Sequence, residues 1–338
     1  MNALEGGRPV AGESGVFFAL APYIAAGACA LAVTFILMPR LIRSFAARGM
    51  VGKDMNKADQ REVPEMGGVG VVAGFFVGII VLMGFDAFTS QNIIPNMPLL
   101  LAALIAALGA AFVGAIDDVF ELRQRVKAVL PILFGFPLGF MVTDQAVHLP
   151  GGVIVGLGAL MIPLIAFMVS AGANAANMLE GFNGLGAGLG IITAAALTIL
   201  TVTGVVWAPL ALLVPYLGAT TAFLWFNRFP ARVFPGDTFT LFSGATLVSA
   251  AVLLNYEEVA ALFFIPMIAE FALKARFRFN PETYGTPTDT GKLAYGGRIG
   301  SLTHMLMRAG LNTEKKVVFS LWALEGFIAG AAITVILT

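Results

Sequence analysis

Residues 97–127 read MPLLLAALIAALGAAFVGAIDDVFELRQRVK. The run from Met97 to Ile116 carries no charged side chain, and about 20 such residues in a helix span the roughly 30 Å hydrocarbon core of a bilayer. Asp117 and Asp118 then end the run, followed by Glu121, Arg123, Arg125 and Lys127. A charged side chain at the bilayer centre costs about 2.5–3.5 kcal/mol, so these acids belong at the interface or in a wet cavity. One segment therefore points both to a membrane helix bundle and to polar chemistry at a helix end.

The same pattern recurs along the whole chain of 338 residues, 58% hydrophobic and only 12% charged, with a mean hydropathy of +0.88. Such a composition excludes an ordinary soluble domain. Apolar runs predict membrane helices at about 15–38, 67–88, 97–116, 127–143, 151–172, 186–204, 207–227, 239–255, 258–275 and 317–337. The expectation is a single polytopic all-α membrane domain over 1–338, with about ten spans, both termini on one side, and larger cytosolic loops at 39–66 and 276–316. Glycine clusters inside spans, such as Gly67 to Gly70 and Gly184 to Gly190, read as close helix packing. Neither the Gly68-Val69-Gly70 run nor Gly285 to Lys292 has the context or spacing of a nucleotide-binding loop.

All Lys and Arg residues except Arg8 fall in four polar segments that lie on one side once the spans are threaded. The positive-inside rule makes that side cytosolic. The opposite side shows modest turns, such as Thr143-Asp144-Gln145 and Asn255-Tyr256-Glu257-Glu258, and the helix start Asn96-Met97-Pro98. Cys29 is the one cysteine, which excludes an intramolecular disulfide and a cysteine metal cluster. The first apolar run is too long for a signal-peptide core and reads as a retained helix.

Three further constellations share the cytosolic side. Asn174, Asn177, Glu180 and Asn183 recur every three residues, a spacing that would stripe one helical face with side-chain oxygens able to orient a hard cation or a sugar. Asn174 and Asn183 could equally cap helix ends. Asp237 follows Gly236, with Arg228 and Arg232 upstream; it suits an N-cap for a helix beginning near Phe239 and also an anion or metal-phosphate site. Asp117, Glu121 and Arg125 are spaced for ordinary helix-surface pairs, the alternative to metal or proton chemistry by Asp117 and Asp118. Oxygen ligands favour magnesium, and with His148 and His304 the only histidines, zinc is not expected. Glu270 and Lys274 read as a structural pair at i,i+4 spacing.

Taken together, these segments resemble the polyprenyl-phosphate N-acetylhexosamine-1-phosphate transferase superfamily, especially its dolichyl-phosphate GlcNAc-1-phosphotransferase branch. Lys53, Asn56 and Glu65 lie in a loop similar to the family's first cytosolic loop. Asp117-Asp118-Val119-Phe120-Glu121 with Lys127 resembles its acidic motif, Asn174 through Leu185 its nucleotide-sugar motif, and Arg232 through Phe239 its metal-aspartate motif. The resemblance implies Asn177 and Asp237 as magnesium-site residues (manganese the alternative ion) and Lys127 as a diphosphate contact. It also implies Asp117 and Asp118 as essential acids, and Lys53, Asn56, Glu65, Asn174, Glu180 and Asn183 as substrate-binding residues. Glu121 replaces the third aspartate of bacterial members. Loop 276–316 lacks the family's histidine clusters, leaving Arg276, Arg278, Arg298 or His304 as its candidate diphosphate contacts. This mixture looks most like archaeal or related prokaryotic members.

The implied reaction moves N-acetylhexosamine 1-phosphate from a UDP-sugar, most simply UDP-GlcNAc, to a polyprenyl or dolichyl phosphate and releases UMP. Its expected setting is the cytosolic face of an integral membrane protein, in the plasma membrane of a prokaryote, among membrane lipid. A homodimer is expected at the family level, and a nucleic-acid partner is not. The competing reading is a transporter of an ion or nucleotide sugar, whose acids would lie near mid-membrane rather than at helix ends.

Overall fold

A computed structural model describes residues 13–89, 92–149, 153–204, 206–255, 262–279, 282–288 and 290–337. Eleven α-helices lie among them: α1 (Glu13–Ala47), α2 (Gly68–Thr89), α3 (Met97–Phe120), α4 (Gln124–Met141), α5 (Met161–Leu179), α6 (Leu185–Thr203), α7 (Leu210–Asn227), α8 (Gly236–Leu254), α9 (Ile265–Ala275), α10 (Leu302–Arg308) and α11 (Glu314–Leu337). A 3-10 turn (Gly158–Leu160) and three antiparallel two-stranded hairpins complete the described elements: β1 (Val51–Lys53) with β2 (Glu62–Pro64), β3 (Ala146–Leu149) with β4 (Val153–Gly156), and β5 (Thr286–Pro287) with β6 (Leu293–Ala294).

Among the described residues eight helices are long and apolar enough to cross a membrane. The expected spans at 127–143 and 258–275 are not among these eight, because α4 begins with Gln124, Arg125 and Lys127 and α9 is 11 residues long among the described residues. Residues 258–261 of the expected ninth span, and Tyr256 to Glu258 of the adjoining turn, lie outside the described residues. Helix α1 runs on to Ala47 and takes Arg40 and Arg43 out of the expected loop 39–66. The expected span at 151–172 starts instead as a hairpin strand, and its helix is displaced to Met161–Leu179. Large apolar side chains such as Phe112, Leu133, Phe167 and Phe327 are exposed around the bundle, as expected for surfaces that meet lipid rather than water.

Helix α8 forms the centre, with every residue from Thr238 to Leu254 buried. Helices α2, α3, α5, α6 and α7 pack on it, so its N-terminus is the point where the surrounding helix ends converge. Close approach depends on glycine: a Cβ on Gly114 of α3 would sit 2.3 Å from the Asp237 carbonyl oxygen. Gly67 donates its N–H to the Phe234 carbonyl at 2.9 Å, which ties the start of α2 to the start of α8. Asn96 caps α3 at the other end, accepting the Leu99 N–H at 3.0 Å.

Candidate active site

The chain enters α8 through Gly236, whose φ of +66° is a left-handed conformation that suits glycine. Asp237 is in the first helical turn rather than at the N-cap, which Pro235 occupies without a side-chain hydrogen bond. The cap comes from another helix. Asp118 Oδ1 accepts the Asp237 N–H at 2.6 Å, and Oδ2 accepts the Thr238 N–H at 3.0 Å and the Thr238 hydroxyl at 2.6 Å. Each carboxylate oxygen thus accepts a backbone N–H that has no partner within α8, and Oδ2 accepts the Thr238 hydroxyl as well. Capping in this way frees the Asp237 side chain to point elsewhere.

The Asp237 carboxylate is met from two sides. Lys127 Nζ, on the first turn of α4, pairs with Oδ2, and Asn177 Nδ2, near the end of α5, donates to Oδ1. Asn177 also donates to Thr240 Oγ1 at 2.8 Å, so its amide hydrogens are engaged and its carbonyl oxygen is the remaining acceptor. Lys127 is buried, and it also pairs with Asp117 Oδ2 at 2.9 Å, while Asp117 Oδ1 accepts the Leu122 N–H at 2.7 Å. The helix-surface pairs read from Asp117, Glu121 and Arg125 do not form. Helix α3 stops at Phe120, Glu121 turns left-handed at φ 49°, and the chain redirects so that Lys127, not Arg125, reaches Asp117.

These groups flank a cavity of about 300 Å³ lined by Glu65, Asn177, Glu180, Asn183, Asp237 and Tyr284, with Lys53 at its edge. Glu180 Oε2 is buried without a hydrogen-bond partner, and burial pushes the carboxyl up to about 8 against the N–H groups of Gly181 and Gly186. Glu65 is raised by burial and then by the Asp118 charge. The Tyr284 phenol is raised by burial and then by the surrounding carboxylates, Glu282 first. A second, apolar groove of about 580 Å³ lies on the other face of α5, between α4 and α9, with Ala128, Phe167, Asn174, Met178 and Phe271 among its walls. Asn177 faces the polar cavity while Asn174 and Met178 face the groove, so less than one turn of α5 separates the two.

The supposed oxygen stripe is therefore divided by the end of α5 at Leu179. Asn174 donates back to Ser170 and to the Ala128 carbonyl; Asn183 donates to Asp54 at 3.1 Å and its backbone N–H reaches Glu314 at 2.9 Å. Neither caps a helix. Asn56 is buried as a clamp rather than a cavity wall, donating to the Gly181 carbonyl at 2.8 Å and accepting the Gly285 N–H at 3.2 Å. Arg276, Arg278 and Arg298 are exposed and line neither the cavity nor the groove.

Sequence reasoning missed Asp54, Tyr284 and Glu314. Buried Asp54 and Glu314 both pair with Lys57, holding the first loop to α11 beneath the cavity. A charged residue at the head of the last apolar run was the available signal for Glu314. Glu270 pairs with Lys274 at 3.3 Å as its spacing suggested, and also accepts the Leu302 N–H at 2.8 Å, which anchors α10.

Among the described residues no group of three or more His, Cys, Asp or Glu side chains could hold a metal. One carboxylate, one amide carbonyl and open cavity volume nevertheless suit magnesium, which commonly takes one or two protein oxygens and completes its shell with water and substrate phosphates.

Comparison with known proteins matches residues 100–255 to the model for glycosyl transferase family 4. The chain is 36% identical over 306 residues to a candidate UDP-N-acetylglucosamine–dolichyl-phosphate N-acetylglucosaminephosphotransferase of Saccharolobus solfataricus, covering 89% of this chain and 92% of the relative. It is 30% identical over 297 residues to the enzyme of that name from Schizosaccharomyces pombe, covering 75% and 65%. It is 28% identical over 277 residues to the phospho-N-acetylmuramoyl-pentapeptide-transferase of Shouchella clausii, covering 77% and 79%. With acidic, amide and lysine side chains converging at the head of a buried helix, and with relatives aligned along most of its length, the chain belongs to glycosyl transferase family 4, membrane enzymes that transfer a sugar 1-phosphate to a polyprenyl phosphate.

Proposed function

We propose that the protein transfers N-acetylglucosamine 1-phosphate from UDP-N-acetylglucosamine to a dolichyl-type polyprenyl phosphate, releasing UMP at the cytosolic face. The observation that carries this reading is the placement of Lys127, Asn177 and Asp237 between a polar cavity and an apolar groove that share α5. A nucleotide sugar suits the first and an isoprenoid chain the second, and their phosphates then meet at the Asp237 carboxylate. The basic residues gathered at this end support a cytosolic orientation. The archaeal and fission-yeast relatives support the sugar and lipid named.

In the proposed step an oxygen of the polyprenyl phosphate attacks the phosphorus that bears the sugar, and the bond from that phosphorus to the UMP oxygen breaks. A phosphate monoester with a second pKa near 6 is already largely dianionic at neutral pH, so the protein's main task is to bring two anions together. Lys127 supplies the buried positive charge, held in place by Asp117 and Asp237. Asp118 positions Asp237 through the backbone of α8, accepting three hydrogen bonds from its first turn. Asp117 keeps Lys127 directed at the junction. Bound by Asp237 and the Asn177 carbonyl oxygen, magnesium, or manganese in its place, would neutralise diphosphate charge and favour departure of UMP. Neutral Glu180 is suited to donate a hydrogen bond to a polar group of the donor in the cavity.

The test is UMP release by purified protein supplied with UDP-N-acetylglucosamine, with and without polyprenyl phosphate and magnesium. Release that needs all three supports the assignment. Release without lipid, or none across a panel of UDP-sugars and lipid phosphates with folded protein, sinks it.

A further inference from the structure

The end of the bundle that carries the cavity also carries a recess of about 770 Å³ on different helices, between the C-terminal end of α7 and the N-terminal end of α11. Arg228, Arg232 and Lys315 line it and are exposed. Among the described residues none of the three lies within ion-pair distance of a carboxylate.

The three cations are also pre-oriented. The Arg228 guanidinium lies 3.7 Å from the centre of the Trp225 ring, that of Arg232 4.6 Å from Phe226, and the Lys315 ammonium 5.0 Å from Phe229. Arg232 is further fixed by donating to the Trp225 carbonyl at 3.0 Å. Stacking of this kind leaves guanidinium N–H groups free to meet an anion. Topology alone places cations at a cytosolic helix end, but it does not gather them, without counter-ions, in a concavity walled by Trp225, Phe319 and Trp322. Trp225 is 46% and Phe319 60% exposed, so the recess presents apolar surface alongside its charge at the depth where aromatic side chains meet headgroups.

We propose that this recess binds the headgroup phosphate of an anionic phospholipid of the surrounding bilayer, with Arg228, Arg232 and Lys315 as its cationic contacts and the acyl chains on the aromatic wall. Basic recesses between membrane helices on the cytosolic side recognise such headgroups. The recess shares no helix with the apolar groove, and it meets the lining of the polar cavity at Asn183, which is not among the three cationic contacts.

Tryptophan fluorescence tests it, because Trp225 and Trp322 line the recess while Trp207 packs against Tyr23 elsewhere in the bundle. Full-length Trp207→Phe protein is placed in phosphatidylcholine nanodiscs doped with either phosphatidylglycerol or phosphatidylcholine carrying brominated acyl chains. Brominated phosphatidylglycerol is expected to quench at a several-fold lower mole fraction than brominated phosphatidylcholine. Replacing Arg228, Arg232 and Lys315 by Gln should erode that preference by roughly fivefold per cation, whereas Lys316→Gln, exposed outside the recess, should leave it intact. If the triple variant does not reconstitute, Arg228→Gln alone carries the same expectation. Equal quenching by the two lipids, or a preference unchanged in the variants, overturns the proposal. So does loss of the preference on adding inorganic phosphate, which would assign the recess to a soluble anion.

Discussion

Asp118 and Asp237 are joined through backbone rather than side chain: Asp118 Oδ1 accepts the Asp237 N–H at 2.6 Å across the α3–α8 contact. An acid on one helix thereby caps the next and sets the direction of that helix's own acid. One carboxylate is thereby spent on capping, while the other is left to meet Lys127 and Asn177.

Replacing Asp118 by Asn removes a charge from the head of α8 and turns an acceptor into a donor facing N–H groups. A stability loss of about 1–2 kcal/mol is expected, read as a lowered Tm in detergent. UMP release should fall further than the stability loss explains, because the Asp237 side chain loses its register. An unchanged Tm would contradict the capping role.

Asp237→Ala should lower turnover by about a hundredfold or more, the scale of losing the hold on a cation that stabilises a developing anion. Asp118 still caps α8 in this variant, so the fold should survive. Steady-state UMP release with magnesium titrated at fixed substrates is the measurement. Near-normal turnover would remove Asp237 from the metal site.

Filling the apolar groove should separate lipid from nucleotide binding. Ala171 lines it and is exposed there, so Ala171→Trp should raise the KM for a long-chain polyprenyl phosphate several-fold and leave that for the UDP-sugar unchanged. A short-chain lipid phosphate should be affected less. Equal effects on both substrates would place the isoprenoid chain elsewhere.

Glu180 gives a pH dependence with a defined sign. Its carboxyl is raised from 4.5 to about 8 by burial, so the folded state holds a proton that the unfolded chain releases. Its contribution to stability is complete below about pH 4.5 and is lost as the pH rises through about 8. Relative to wild type, Glu180→Gln should therefore gain Tm between about pH 5 and pH 8 and level off above. A difference independent of pH would mean that Glu180 is ionised throughout.

The membrane class was legible in the apolar runs, because spanning helices are specified by length and hydropathy within each segment. Asp117, Lys127, Asn177 and Asp237 stood out for the same local reason, as polar residues where such runs end. Helix ends were less legible. Leu179 closes α5 and Phe120 closes α3, and these stops dissolve the oxygen stripe and the Asp117–Glu121–Arg125 pairs that spacing alone suggested. Asn56 carried a motif-like position but serves as a clamp, which depends on Gly181 and Gly285 more than a hundred residues away in sequence.

By itself, then, the sequence determined that the chain crosses a membrane repeatedly and that its acids, amides and cations collect at one end, since hydropathy and charge act residue by residue. Only the tertiary structure decided which of those groups touch. Lys127 meeting both Asp117 and Asp237, Asp118 capping a helix it does not belong to, and Glu180 buried with Oε2 unpaired all depend on how α3, α4 and α5 pack around the head of α8. Such contacts arise from the shape of neighbouring helices, small residues such as Gly114 included, and no single segment encodes them.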